Sequence, residues 1–120
     1  MDKDALGKFG EDHVAQYLSN LGWRIIARRW RSRHNDLDLV ALDGGEVVFV
    51  EVKARSSTAF GYPEEAVGWA KARELRKTAW FFLCSRGWEA RPYRIDVVSV
   101  VARPGEEPEL KHFRSAVGEG

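Results

Sequence analysis

Between residues 4 and 21, apolar side chains recur at Leu6, Phe9, Val14, Tyr17, Leu18 and Leu21. That three-and-four spacing lays a stripe along one helix face, and Asn20 to Gly22 supplies a stop signal. The same face carries Gly7 and Gly10, each unfavourable by about 1 kcal/mol against alanine inside a helix. Their presence predicts a close backbone approach. Glu11 follows Gly7 by one helical turn and falls at the rim of the stripe.

Beyond the helix the period shortens. Trp23–Arg31 reads as a strand with imperfect alternation, and Asp36–Leu42 and Glu46–Lys53 read as two better strands separated by Asp43-Gly44-Gly45. Val47–Val50 is apolar on both faces, which predicts a central strand covered from two sides. A second helix is expected from Pro63, where proline suits the first helical position and Glu64 and Glu65 complement the helix dipole. Its expected core stripe is Trp69, Ala72, Leu75, Ala79 and Phe82, closed by Gly87. Cys84 is expected to be a small buried side chain. Tyr93–Val101 and Glu109–Phe113 read as two further strands, with a turn over Pro104–Pro108. Helix, three strands, helix and two strands predict an α/β fold, a mixed sheet of about five strands flanked by α-helices.

Length and composition narrow the class. The 120 residues fit one domain spanning 1–120, with no repeat or low-complexity linker. No apolar run approaches the roughly 20 residues that span a bilayer. The N-terminus lacks the apolar stretch of a secretory signal and there is a single cysteine; both favour a cytoplasmic, reducing compartment. Net charge is +1, so no overall basic field marks a nucleic-acid binder. Locally, Arg28, Arg29, Arg31 and Arg33 crowd around Trp30. These arginines are candidates to neutralise phosphates and Trp30 to stack on a base. Lys71, Arg73, Arg76 and Lys77 invite the same reading, although a run of charges is more often a solvated face. His13, His34 and His112 stand apart, as surface or packing residues.

The candidate chemistry lies where charges interrupt two otherwise apolar strands, at Asp36, Asp38, Glu51 and Lys53. If Gly44-Gly45 is a two-residue hairpin loop, Asp43 pairs with Glu46. Asp38 then faces Glu51, Asp36 faces Lys53, and all four project from one face. A three-residue loop would move the acids to opposite faces. Opposed positions carry Cβ atoms about 4.5–5.5 Å apart, near enough for two carboxylates to hold one ion. Oxygen donors alone suit Mg²⁺ or Mn²⁺, and no His/Cys cluster has zinc-like spacing. The competing interpretation is an ordinary edge hairpin whose charges face water.

An acidic residue on one strand followed by Glu51-Val52-Lys53 on the next resembles the PD-(D/E)XK nuclease motif. More closely, Gly10-Glu11, the strands LDLVA and VFVEVKAR, Phe60-Gly61-Tyr62-Pro63-Glu64-Glu65-Ala66, Lys71 and the Arg94–Val98 strand resemble the YraN-type family of small bacterial proteins. The order of helix glutamate, strand aspartate and Glu-x-Lys is also similar to archaeal Holliday junction resolvases. The resemblance implies a restriction-endonuclease-like fold in which Asp38 and Glu51 bind Mg²⁺ or Mn²⁺, Lys53 completes the motif and Glu11 approaches from the first helix. Leu37 replaces the proline of the motif's name, Asn35-Asp36 stands where the family usually has Gly-Glu, and Arg29 where it often has asparagine.

The function expected on these grounds is metal-dependent hydrolysis of DNA phosphodiesters, with branched or junction DNA suggested by the resolvases. A homodimer follows on the same analogy, since cutting two strands symmetrically takes two sites. A nucleic-acid-binding module without turnover and a protein interaction scaffold are the alternatives.

Overall fold

The computed structural model describes residues 1–33 and 35–118; His34 lies outside them. Helix α1 spans Lys3–Asn20, with Asp2 accepting a bond from the Ala5 N–H at its N-cap. Strands β1 (Arg24–Ser32), β2 (Asn35–Asp43) and β3 (Glu46–Arg55) follow. After a 3₁₀ turn over Pro63–Ala66 come α2 (Trp69–Arg86), β4 (Tyr93–Val101) and β5 (Glu109–Phe113). The five strands form one sheet in the order β1-β2-β3-β4-β5. All pairings are antiparallel except β3 with β4, whose parallel register is reached through the α2 crossover. The fold is thus α/β, with two helices and a five-stranded mixed sheet. No described helix is long and apolar enough to cross a membrane.

Period-two alternation sends each strand's side chains to two cores. On one face α1 contributes Val14 and Leu18, which pack with Leu39, Ala41, Val48, Val50, Val98 and Val100. On the other, Leu75, Ala79, Phe82 and Leu83 of α2 pack with Val40, Val47, Phe49 and Ile95. The central β3 is covered on both sides, as its unbroken apolar run requires. Gly10 explains how α1 lies so near the sheet. A Cβ there would fall 2.9 Å from Ala54 Cβ, so only glycine lets the helix sit down on β3. Gly7 has nothing within 4 Å, so close protein packing does not account for it.

The second helix departs from expectation at its start. Pro63 opens only the 3₁₀ turn, Val67 and Gly68 leave helical geometry, and α2 begins afresh at Trp69. This offset leaves Trp69 75% exposed rather than in the core, while Leu75, Ala79 and Phe82 remain buried as expected. Cys84 is exposed too, because it projects from the outer side of the helix. Gly87 ends α2 in the left-handed region at φ 68°.

Candidate active site at the β2–β3 fork

The hairpin adopts the two-residue register. Asp43 opposes Glu46, and pairing continues to Leu39 opposite Val50, with Gly44 at φ 61°. There the two strands part. The N-terminal end of β2 pairs only with β1, through Trp30↔Leu37, Arg31↔Asp36 and Ser32↔Asn35, while Glu51–Arg55 of β3 pairs only with β4. Asp38 and Glu51 stand at the mouth of this fork.

A kink in β2 turns Asp38 into the gap. Leu37 packs in the α2-side core, yet Leu39, two positions on, packs in the α1-side core. A regular strand would keep them on one face, so alternation slips at Asp38. Opposite it on β1, between the pairs Arg28↔Leu39 and Trp30↔Leu37, Arg29 adopts φ 50°. That left-handed conformation is uncommon for arginine and easier for asparagine. With the ladder interrupted, the Val52 N–H donates to Asp38 Oδ2 at 2.8 Å.

Charges converge on the fork from four elements, β2, β3, α2 and α1. Glu51 is only 4% exposed, and its Oε2 lies 3.3 Å from Lys71 Nζ on α2 and 3.8 Å from Lys53 Nζ. The Asp38 carboxyl is within hydrogen-bonding reach of Glu51. Burial, this bond, repulsion from Glu51 and the more distant Glu11 raise Asp38 far above the usual carboxylate range, against the opposing pull of the Val52 N–H. Without a cation, the surroundings therefore favour the protonated form of Asp38. At Lys71, burial pulls the amine down, but Glu51 outweighs it and the net shift is upward. Glu11 reaches in from α1, its Oε1 bonded to Arg29 Nε at 2.8 Å.

Two open grooves meet at Lys3, Gly7 and Glu11 of α1. One, of 580 Å³, runs along Val52–Ser56 of β3; the other, of 750 Å³, runs past Arg29, Arg31, Asp36 and Asp38. The fork is thus reachable from solvent along both arms.

The expected site residues divide into three groups. Asp38, Glu51, Lys53 and Glu11 come together. Lys71, expected as an outlying phosphate contact, instead closes against Glu51, an approach across the crossover that no local spacing signals. Two expectations fail. Asp36 stands beside Arg31 of β1 rather than opposite Lys53, because β3 has already diverged. Trp30 does not present a free ring: it meets Phe82 edge-on at 5.3 Å and packs on the α2-side core. Of the basic segment, Arg28 and Arg29 are tied to Asp12 and Glu11, whereas Arg31 and Arg33 line a further surface depression with Asp36, and Arg31 and Asp36 also border the second groove.

Among the described residues, no group of three or more His, Cys, Asp or Glu side chains is disposed to hold a metal. The fork offers two carboxylates. That donor set fits Mg²⁺ or Mn²⁺, because magnesium commonly takes one or two protein carboxylates and completes its shell with water and substrate phosphate. It does not fit a closed zinc centre.

A further charged cluster lies on β4, and its one signal in the sequence is an aspartate within an apolar run. Asp96 is fully buried and accepts bonds from Arg94 Nε at 3.0 Å, Ser115 N–H at 2.9 Å and His112 Nε2 at 2.8 Å. His112 Nδ1 meets the Tyr17 hydroxyl at 2.8 Å, so this histidine is a packing residue, as expected.

Residues 10–100 match the model of the family described as "Uncharacterised protein family UPF0102". Similar proteins include a UPF0102 protein of Nocardia farcinica, 41% identical over 114 residues, covering 95% of this chain and 90% of that one. A UPF0102 protein of Persephonella marina is 44% identical over 95 residues, covering 79% and 82%. One of Renibacterium salmoninarum is 45% identical over 112 residues, covering 93% and 95%. With matches of this extent, the chain belongs to the UPF0102 family.

Proposed function

We propose that the chain is a divalent-metal-dependent nuclease of the PD-(D/E)XK type, hydrolysing DNA phosphodiester bonds at the β2–β3 fork. The observation that carries this reading is the convergence of the Asp38 and Glu51 carboxyls where two strands part, with Lys53 and Lys71 against Glu51. Two adjoining acids in a half-buried gap are unfavourable unless a cation or proton offsets them. An enzyme gains from that arrangement, whereas a purely structural hairpin does not.

Asp38 and Glu51 would hold Mg²⁺ or Mn²⁺. When bound, such an ion polarises a phosphoryl oxygen and lowers the pKa of a coordinated water. The chain's own groups do the remaining work. The Val52 N–H fixes the Asp38 carboxylate in the gap. Lys53 carries a cation on the groove side of Glu51, suited to stabilising charge that develops on an attacked phosphate. Lys71, its amine held protonated by Glu51, balances that acid and is a poor general base. Glu11, oriented by Arg29, adds a carboxylate at the junction of the grooves. The similarity to archaeal Holliday junction resolvases favours branched DNA and a homodimer.

The test is incubation of supercoiled, linear and four-way-junction DNA with Mg²⁺, Mn²⁺ or EDTA. Cleavage that requires metal and disappears in Asp38→Ala and Lys53→Ala is the expected result. Salt-sensitive binding without cutting would make the chain a nucleic-acid-binding module. Absence of both would leave an interaction scaffold.

A further inference from the structure

The outer face of α2 has no role in the site above. Trp69 is 75% exposed and Trp80 44%. Eleven residues apart, they fall within about 20° of one another around a helix of 3.6 residues per turn and about 16 Å apart along its axis. Arg73 and Lys77, both exposed, lie between them. The Arg73 guanidinium stands 5.7 Å from the Trp69 ring centroid, backing one side of the indole. Lys71, in the same first turn as Trp69, projects from the other flank of the helix onto Glu51.

Solvent-facing indoles with cations interspersed are poorly suited to water and poorly suited to a second copy of the same face. Two α2 helices packed on one another would bring Arg73 and Lys77 against their own copies, with only Glu74 among the exposed residues of this stretch to offset them. A ligand that matches both features carries flat apolar surfaces at intervals along a negatively charged backbone.

We infer that the outer face of α2 is a track for unpaired nucleic acid, with Trp69 and Trp80 stacking bases and Arg73 and Lys77 meeting phosphates. This rests on the nuclease reading and sharpens it. The preferred substrate carries a single-stranded segment, such as an overhang, flap or open branch, led past the first turn of α2 to the fork. Base-aromatic stacking tolerates any sequence, since every base has a π-face.

The experiment is fluorescence anisotropy in EDTA, so that nothing is cut, with three probes: a single strand of about 12 nucleotides, a strand of equal length whose sugars lack bases, and a blunt duplex. Trp69→Ala and Trp80→Ala should each weaken single-strand binding about tenfold and leave the baseless strand and duplex unaffected. Arg73→Ala with Lys77→Ala should weaken the single strand and the baseless strand alike and flatten the salt dependence. Tryptophan variants that bind the single strand as the parent does would overturn the track, as would variants that change the sedimenting mass. If Asp38-dependent cleavage persists in that case, the nuclease reading survives alone. A parent protein that neither binds nor cuts any probe overturns both.

Discussion

Two buried carboxylates on neighbouring strands face opposite sides of the sheet and meet opposite circumstances. Asp96 on β4 is met by a guanidinium, an imidazole and a backbone N–H, each within 3.0 Å. Glu51 on β3 has two ammonium groups at 3.3 and 3.8 Å, and beside it stands Asp38, a second acid with one backbone donor. The first acid is surrounded by donors and fixes structure: it ties β4 to β5, and through His112 and Tyr17 to α1. In the second pair both cations lie against Glu51 and Asp38 has a single backbone donor, so the donors are unevenly shared and Asp38 keeps acceptor capacity that the chain does not fill. Burial alone does not distinguish a site from a clamp; the balance of donors does.

The sharpest way to break this contrast is to remove one acid from each cluster. Asp96→Ala should cost about 3–5 kcal/mol of stability, because Arg94 and His112 lose a buried partner. Chemical denaturation would measure it, and any loss of cleavage should track unfolding. Asp38→Asn should do the reverse, leaving thermal stability intact or improved while cleavage falls on the order of 10³-fold. If Asp38→Asn instead unfolds the protein as Asp96→Ala does, the two clusters are alike and the fork is a second clamp.

Gly10 tests the scaffold beneath the fork. A methyl group there meets Ala54 Cβ at 2.9 Å, and neither the helix nor β3 can yield through a flexible side chain. Gly10→Ala should therefore destabilise by about 1–3 kcal/mol. A stability equal to the parent's would show that α1 is not pinned to the sheet at this point.

The burial of Asp38 beside Glu51 also predicts a pH dependence. Asp38 has its folded-state value raised from 3.8 to about 9, so the folded chain binds a proton more tightly than the unfolded chain. That contribution is fully present below 3.8 and is lost as pH rises through about 9. In EDTA the unfolding temperature should fall between pH 5 and pH 9, and Asp38→Asn should flatten that fall. Mg²⁺ or Mn²⁺ should restore more stability at pH 9 than at pH 5, since the ion competes with the proton. A parent and variant with the same slope would remove Asp38 as its source.

Much of this arrangement is legible in the sequence. Alternation across Asp36–Leu42 and Glu46–Lys53, with Gly44-Gly45 between, gives both strands and their register as far as Leu39↔Val50. Asp38 then meets Glu51 through the kink in β2 and not as the directly opposed pair expected. The rest depends on interactions that a local period does not contain. Register arithmetic assumes that a ladder continues, so it sets Asp36 opposite Lys53, although the strands part after Leu39↔Val50. Helical periodicity run through from Pro63 takes no account of the break at Val67-Gly68, and so buries Trp69. Trp30 reads as a free aromatic among arginines until Phe82, from a distant helix, covers its edge. Lys71 reaches Glu51 only because the β3–β4 crossover returns α2 over the end of β3.

The smallest predicted effect carries the contrast into α1. Gly7 and Gly10 lie one turn apart and look equivalent in sequence, but Gly10 touches the sheet while Gly7 opens onto both grooves with nothing within 4 Å. Gly7→Ala should stabilise the free protein by up to about 1 kcal/mol through helix propensity, readable as a small rise in unfolding temperature. The position then separates stability from use. If nucleic acid approaches the helix backbone where the grooves meet, the added methyl group should raise the KM for DNA severalfold while kcat changes little, because it obstructs binding without touching the fork. Gains in stability with an unchanged KM would mean that substrate passes elsewhere, and that the glycine at position 7 does not serve the groove.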